Sequence, residues 1–317
     1  YLYSNESSKN NDELMELEFD KAGQKLTVLS FGAGQDSTAI LVRIIHDERF
    51  RKNYVVGQLI VIFADTKNEH QHTYAYVDYI ELLCKFYEIL FFKVNPSEYA
   101  TGKWKGGLLG FYEKNKSVGS KAFPKTCTDN LKIKPIYKFL EEYIHEKFQT
   151  QSYGRKKAFY EYFYKYGQIR VLIGIAAGEE KRASDEPTGI KWFDKCVEKV
   201  YPLIEQKMDR EACQYVIKNE GYIVPMPSNC ILCPFMSYQE LIYLYRYENE
   251  FYNQWVKLEK QKIDNNLHKG DKNLGVWGTR KLLPEILEIA MDKFGHWDKE
   301  RLVEYKMSHG HCVQSRY

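Results

Sequence analysis

One stretch limits the folds open to this chain more than any other. Lys25–Phe31 (KLTVLSF) is a short apolar run of β-formers. It leads directly into Gly32-Ala33-Gly34-Gln35-Asp36, and an apolar-periodic segment, Ala39–Ile45, follows. A buried strand, a tight turn and a helix in that order form the unit of an α/β fold. Ser37 is expected near the N-cap of the helix. The alternation continues with strands at Gln58–Ala64, Glu88–Val94 and Gln168–Ile175 and helices at Thr73–Phe86 and Lys132–Phe148. It predicts an α/β fold with a doubly wound, mainly parallel sheet. After about residue 205 helical patterns dominate, at Asp209–Asn219, Ser237–Lys262 and Pro284–Phe294. The second opens with a capping box, Ser237-x-x-Glu240, and the third with a first-turn proline. The expected organisation is a polar arm over 1–24, an α/β nucleotide-binding domain over 25–205, and a smaller helical lobe over 206–317 that carries a CxxC.

Composition narrows the class further. Of 317 residues, 44% are hydrophobic, enough for a packed core, which excludes a disordered or collagen-like chain. Lys and Arg total 46 against 43 Asp and Glu, a net charge of +3 that demands no nucleic-acid partner. No apolar run approaches the roughly 18 residues of a membrane span, and the first ten residues lack an apolar signal core. The seven cysteines do not form a secreted disulfide pattern, so a reducing cytoplasm is the expected compartment. Cys230-Ile231-Leu232-Cys233-Pro234 has the spacing for two thiolates on one metal, or for a redox dithiol.

The glycine loop admits three ligand readings. A Walker A loop needs a lysine before Ser37, which is absent. A dinucleotide fingerprint needs a third glycine, and Ser37 holds that place while Asp36 would crowd a pyrophosphate. A pyrophosphatase (PP) loop has a use for the acid, since Asp36 can hold the Mg²⁺ that bridges nucleotide phosphates. Main-chain N–H groups at the helix start and hydroxyls of Ser30, Ser37 and Thr38 would cradle the anion. The alternative is a plain strand–turn–helix connection.

The segment SFGAGQDSTAIL resembles the PP-loop of the phosphoadenosine phosphosulfate (PAPS) reductase-like family, within the adenine-nucleotide α-hydrolase superfamily of ATP pyrophosphatases. Four more segments resemble that family in order. Val61–Tyr74 matches its Asp-Thr-Gly-x-Glu…Thr segment through Asp65, Thr66, Glu69 and Thr73, with Lys67 in the glycine's place. Lys125–Ile136 matches Cys-x-x-x-x-Lys-x-x-Pro through Cys127, Lys132 and Pro135. Ile173–Arg182 matches Gly-Ile-Arg-x-Asp-Glu-x-x-Arg through Gly174, Glu179 and Arg182, with Ala176 and Gly178 as departures. Ser228–Ser237 matches the Cys-x-x-Cys-Pro-Phe segment of phage- and defence-associated members.

The resemblance implies an adenine nucleotide-binding enzyme that takes ATP or PAPS with Mg²⁺. Its nucleotide contacts would come from Ser30, Phe31, Gly32, Gly34, Gln35, Asp36, Ser37, Thr38, Asp65, Thr66, Gly174 and Glu179. Asp36, Lys132 and Arg182 would be catalytic, the two cations meeting phosphate charge. Asp65 has an alternative as an Asx-turn cap, Glu179 as an ion-pair partner of Arg182, and Arg182 as part of a charged surface turn. By the same resemblance Cys127 joins Cys230 and Cys233, with Cys312 as a fourth ligand, around a [4Fe–4S] cluster or Zn²⁺. The tail Ser308-His309-Gly310-His311-Cys312 is not the Glu-Cys-Gly-x-His tail of true PAPS reductases. ATP cleavage at the α–β bond, with adenylylation and sulfur transfer to a substrate, is therefore the expected chemistry. Adenylyl-sulfate reduction is one alternative. A non-catalytic nucleotide or nucleic-acid module of a defence or modification complex, with a protein partner, is another.

Two segments are locally basic and aromatic, 103–125 (net +5) and 151–170 (net +4). Such interleaving suits single-stranded nucleic acid, but a solvated helix face with a Tyr/Phe stripe packed on the core is the favoured reading of both segments. The first also suits a lid over the nucleotide.

Overall fold

The computed structural model describes residues 25–124, 126–183 and 187–309. The polar arm over 1–24, Lys125 and Cys312 lie outside the described residues.

Five parallel strands form one sheet in the order β3-β2-β1-β4-β5. They are β1 (Leu26–Ser30), β2 (Gln58–Ala64), β3 (Leu90–Val94), β4 (Ile169–Ile173) and β5 (Val197–Val200). The sequence places the first four within a few residues. It misses β5, whose VEKV carries two charges in four residues and has no apolar run to mark it.

Period-two side-chain alternation sorts the strands onto two cores. Leu29, Val61, Phe63 and Leu172 point to one face. There they meet α1 (Gln35–His46), α2 (Glu48–Tyr54) and α3 (Gln71–Phe86). Leu26, Val28, Ile60, Ile62 and Val171 point to the other. There they meet α4 (Lys134–Phe148), α5 (Lys157–Tyr166) and α6 (Lys191–Cys196). Helices on both faces of a parallel sheet make the fold α/β and doubly wound, as the alternation predicts. Cys213 and Ile217 of α7 (Arg210–Asn219) join the first core, packing against α1.

A third core holds no strand. Residues between Ala100 and Leu131, including α8 (Gly107–Asn115), pack there with α9 (Tyr238–Tyr247), α10 (Asn249–Asn265), α11 (Leu283–Phe294) and α12 (Lys299–Ser308). Trp255 is fully buried at its centre.

Three helix boundaries differ from the sequence reading. Gly34, not Ser37, is the N-cap of α1; Ser37 lies inside the first turn. The helix after β2 starts at Gln71 rather than Thr73. The segment Ser237–Lys262 is two helices broken at Glu248, whose backbone (φ −136°, ψ 46°) leaves the helical region. Apolar periodicity continues across such a break and cannot reveal it. The Ser237 capping box forms as expected: the hydroxyl accepts from Glu240 N at 3.2 Å, and Glu240 Oε2 accepts from Ser237 N at 2.9 Å. Ser237→Ala removes one half of that exchange, so chemical denaturation should show a loss of about 1 kcal/mol.

The 151–170 aromatics are largely structural. Phe159, Tyr162 and Tyr166 are buried in the core against α4 and the sheet. Lys156 donates to Tyr137 O and pairs with Glu141 at 3.4 Å, and Arg170 pairs with Glu198 at 2.8 Å. In the 103–125 segment Lys121 donates to Met236 O and lies 3.7 Å from the Trp277 ring centroid. Burial lowers its pKa to about 8. No helix of the described residues is long and apolar enough to cross a membrane.

Candidate functional site at the sheet switch point

Strand order reverses at β1, whose neighbours β2 and β4 lead away in opposite directions. Loops from the carboxyl ends of β1 and β4 therefore diverge and leave a crevice, the usual ligand site of open α/β sheets. The glycine loop follows β1, and the segment Gly174–Arg182 follows β4.

The loop does not use its glycines as the sequence implies. Neither Gly32 nor Gly34 has a positive φ; Ala33 does, at 56°. That left-handed conformation costs a non-glycine residue about 1–2 kcal/mol and is held by complete burial of its methyl group. Gly32 instead leaves open space where a Cβ would stand, which keeps its backbone approachable. Gly34 has Ser228 Oγ 3.4 Å from the position of its absent Cβ. The Ser228 hydroxyl donates to Gly32 O and so ties the CxxC segment to the loop. Gly174 has a clear steric reason: a Cβ there would lie 2.7 Å from Ser37 N.

Of the nucleotide-binding residues named from the sequence, Ser30, Gly32, Gly34, Asp36 and Gly174 lie around the crevice at the ends of β1 and β4. Phe31 is buried in the first core, and the Ser37 hydroxyl donates to Gly34 O at 3.2 Å and accepts from Gly32 N at 3.3 Å. Gln35 and Thr38 are turned inward. Gln35 is buried, donates to Pro225 O, and accepts from Gln214 and Arg210. Thr38 Oγ1 donates to Gly34 O at 2.9 Å. Both side chains hold the loop rather than face a ligand.

Asp36 is the centre of a charged cluster. Its Oδ2 accepts from Ala176 N at 3.3 Å and lies 3.8 Å from Arg182 Nη1. Its buried Oδ1 has no hydrogen-bond partner and lies 3.6 Å from Arg210 Nη1. Burial raises the Asp36 pKa, outweighing the opposing pull of Arg210 and Arg182. Glu179 pairs with both arginines, and despite its own burial they hold its carboxyl below the ordinary value. The ion-pair alternative for Glu179 is thus what the structure shows. Arg210 has no sequence signal. It opens α7, beyond residue 205, and reaches Asp36 only because α7 packs on α1.

Asp65 forms an Asx turn, Oδ1 accepting from Lys67 N at 2.7 Å and from Tyr74 Oη at 2.8 Å, but it does not cap the next helix, whose N-cap is His70. Lys67, in the place of the family's glycine, adopts φ 54°, the left-handed conformation that a glycine would take without cost.

Beside the loop lies a second pocket lined by Thr66, Leu108, Cys127, Thr128, Lys132, Ser228, Asn229, Cys230, Cys233 and Pro234. The structure therefore gathers the three thiols that the resemblance groups, from two distant segments. A backbone bridge between Glu69 and Cys230 and a bond from Ile231 N to Asn68 O fix the CxxC turn against the loop after β2. Cys230 Sγ contacts Thr66 Oγ1 at 3.4 Å and Glu69 Oε1 at 3.8 Å. Burial, then the Glu69 charge, pushes the Cys230 thiol well above its ordinary pKa. The Tyr112 hydroxyl interacts electrostatically with all three thiols. Cys84, Cys196 and Cys213 are buried in the two sheet cores.

Lys132 lies in a π-helical turn, Asp129–Ile133, immediately before α4. Such turns re-aim a side chain by one position and recur at functional sites. Its Nζ lies 3.2 Å from Glu69 Oε1, whose side chain is fully buried. Lys132 thus belongs with the thiols and Glu69, while Arg182 and Arg210 attend Asp36. Sequence reasoning named Glu69 only as a motif match and left out Arg210, Ser228 and Tyr112.

The donor sets can be tested against the groups they would hold. A buried carboxylate oxygen without a hydrogen-bond partner, Asp36 Oδ1, fits a hard cation such as Mg²⁺. Cys127, Cys230 and Cys233 line one pocket, but they are not among the described donor groups whose ligand atoms all lie within 4.8 Å of one another, so as placed they do not close on one ion. Compared with known proteins, the chain matches no protein-family model and no curated protein.

Proposed function

We propose that this protein binds ATP at the β1–β4 crevice and cleaves it between the α- and β-phosphates, adenylylating a substrate with loss of pyrophosphate. The observation that carries the reading is Asp36, a buried carboxylate with one unpartnered oxygen, placed at a helix N-terminus between two arginines. The main-chain N–H groups at the start of α1 receive phosphate oxygens. Arg182 and Arg210 offset the charge that builds on the departing pyrophosphate. Glu179 holds both guanidinium groups in place. Mg²⁺ held by Asp36 would polarise the phosphate oxygens and stabilise the leaving group. The acceptor displaces pyrophosphate at the α-phosphorus, so the Pα–O bond to the β-phosphate breaks as the acceptor bond forms.

The adjoining thiol pocket supports a sulfur-handling second step on the adenylylated substrate. Cys127, Cys230 and Cys233 would have to draw together to hold an iron–sulfur cluster or Zn²⁺ there, with Lys132 beside it.

The test incubates purified protein with Mg²⁺ and either ATP or PAPS. Slow appearance of pyrophosphate and AMP from ATP, with water standing in as acceptor, is expected. ADP and phosphate as products, or sulfite from PAPS with no pyrophosphate from ATP, would overturn the reading.

A further inference from the structure

The CxxC segment and the third core meet the sheet domain at a polar junction that the proposed reaction does not use. His70 is the N-cap of α3, with extended backbone (φ −65°, ψ 153°), and His72 lies in its first turn. This change of conformation brings two imidazoles that are two residues apart into a near-parallel stack, with centroids 5.0 Å apart and planes 18° apart. Glu248, at the break between α9 and α10, reaches the same place from the other side of the junction. Its Oε2 lies 2.8 Å and its Oε1 3.1 Å from His70 Nδ1. One donor atom from each of His70, His72 and Glu248 lies within 4.8 Å of the others. The His70 side chain is only 4% exposed and that of Glu248 21%, so the group is enclosed but reachable.

Two further observations point to a ligand. Buried polar atoms without a hydrogen-bond partner concentrate at this junction: His72 Nε2 in the group itself, and Asn68 Nδ2, Glu69 Oε2, Thr73 Oγ1 and Asn229 Oδ1 in the adjoining residues. Folded chains rarely leave such atoms unpaired. The local charge also has room for a cation. Glu69, Glu240 and Glu248 act electrostatically on buried Lys306, which also acts on His72, and Lys132 adds one ammonium group at Glu69. Three carboxylates thus face two ammonium groups.

We propose that His70, His72 and Glu248 bind a divalent transition-metal ion, Zn²⁺ by the donor set, which pins the start of α3 to the α9–α10 break. Two imidazoles and a carboxylate are borderline donors that favour Zn²⁺ over Mg²⁺ or Ca²⁺. With bonds of about 2.0–2.2 Å, tetrahedral ligands stand about 3.4 Å apart, so side-chain rotations of an ångström or so close the site. Three protein ligands leave a fourth position for water.

Because the thiol pocket would also take zinc, the test uses full-length chain with Cys127, Cys230, Cys233 and Cys312 all changed to Ser. After metal stripping, that chain is titrated with Zn²⁺, followed by elemental analysis and thermal melting. One bound Zn²⁺ per chain and a raised melting temperature are expected. A Co²⁺ titration should give visible bands without thiolate charge transfer. His72→Gln and Glu248→Gln, each in this background, should weaken Zn²⁺ at least about 100-fold, more than losing an outer-shell partner costs. Circular dichroism confirms folding of each variant, so a variant that fails to fold leaves the other to decide. A chain with those four cysteines replaced that takes up no Zn²⁺ or Co²⁺, or binding that neither substitution weakens, overturns the proposal. Neither result depends on ATP cleavage, so the site and the proposed reaction stand or fall separately.

Discussion

Asp36→Asn should abolish pyrophosphate release from ATP without making the protein less stable. The carboxylate sits where the nucleotide phosphates would lie, with one oxygen unpartnered and two arginines beside it. In the proposed reaction Asp36 would hold the Mg²⁺ that offsets charge on the leaving pyrophosphate, and losing one such electrostatic stabiliser costs about 100–1000-fold in turnover. Stability should move the other way. Burial raises the Asp36 pKa above its unfolded value, so the ionised form is a cost to the folded state at neutral pH. That cost is relieved as pH falls through the folded pKa, and asparagine removes it at every pH. The variant should therefore melt no lower than the parent at neutral pH. Its melting temperature should also gain less on mild acidification. Turnover retained within tenfold would remove Asp36 from the chemistry. A large stability loss would instead make it a structural anchor for Arg182 and Arg210.

Trp255→Ala should produce the largest loss of stability, about 3–5 kcal/mol, because it empties the middle of the third core. Trp255 Nε1 has no hydrogen-bond partner, so the loss is one of packing and not of a polar contact. Trp255→Phe should keep most of the stability. The consequence for the site follows from connectivity. Ile231 and Leu232, between the two CxxC cysteines, belong to the same core, so loosening it should free the thiol pocket. Alkylation of Cys230, which is half-buried in the pocket, should accelerate in Trp255→Ala before global unfolding is seen by circular dichroism. Unchanged alkylation would mean that the turn is held by its bonds to Asn68 and Gly32 alone.

How far the fold could be read in advance depended on how local its signals are. Strands β1, β2 and β4 announce themselves as apolar runs because they are covered on both faces, and β3, an edge strand only partly covered, still carries the apolar run Leu90-Phe91-Phe92. Strand β5 lies at the sheet edge and carries Glu198 and Lys199, so nothing in four residues distinguishes it from a loop. The break at Glu248 was hidden because both flanking helices keep an apolar face toward one core. Within the site, Asp36, Glu179, Arg182 and the CxxC were legible from short-range spacing. Arg210 was not, because its partner Asp36 is far away along the chain and no motif surrounds it. Gln35 and Thr38 looked like ligand contacts by position. The direction of Gln35 was set by α7 and the Pro225 segment, which take up its amide, and that of Thr38 by the Gly34 carbonyl.

The sequence by itself determined the alternation of strands and helices, the place of the glycine loop that joins β1 to α1, and the presence of paired thiols. These follow from periodicity and composition within about a dozen residues, where the chain's own stiffness decides the conformation. The tertiary structure alone decided which of those groups meet. It paired Asp36 with Arg210, brought Cys127 to Cys230 and Cys233, set Lys132 against Glu69, and placed Glu248 beside His70. Such meetings depend on how helices pack over the sheet, and packing is set by the shapes of whole buried faces rather than by any one segment.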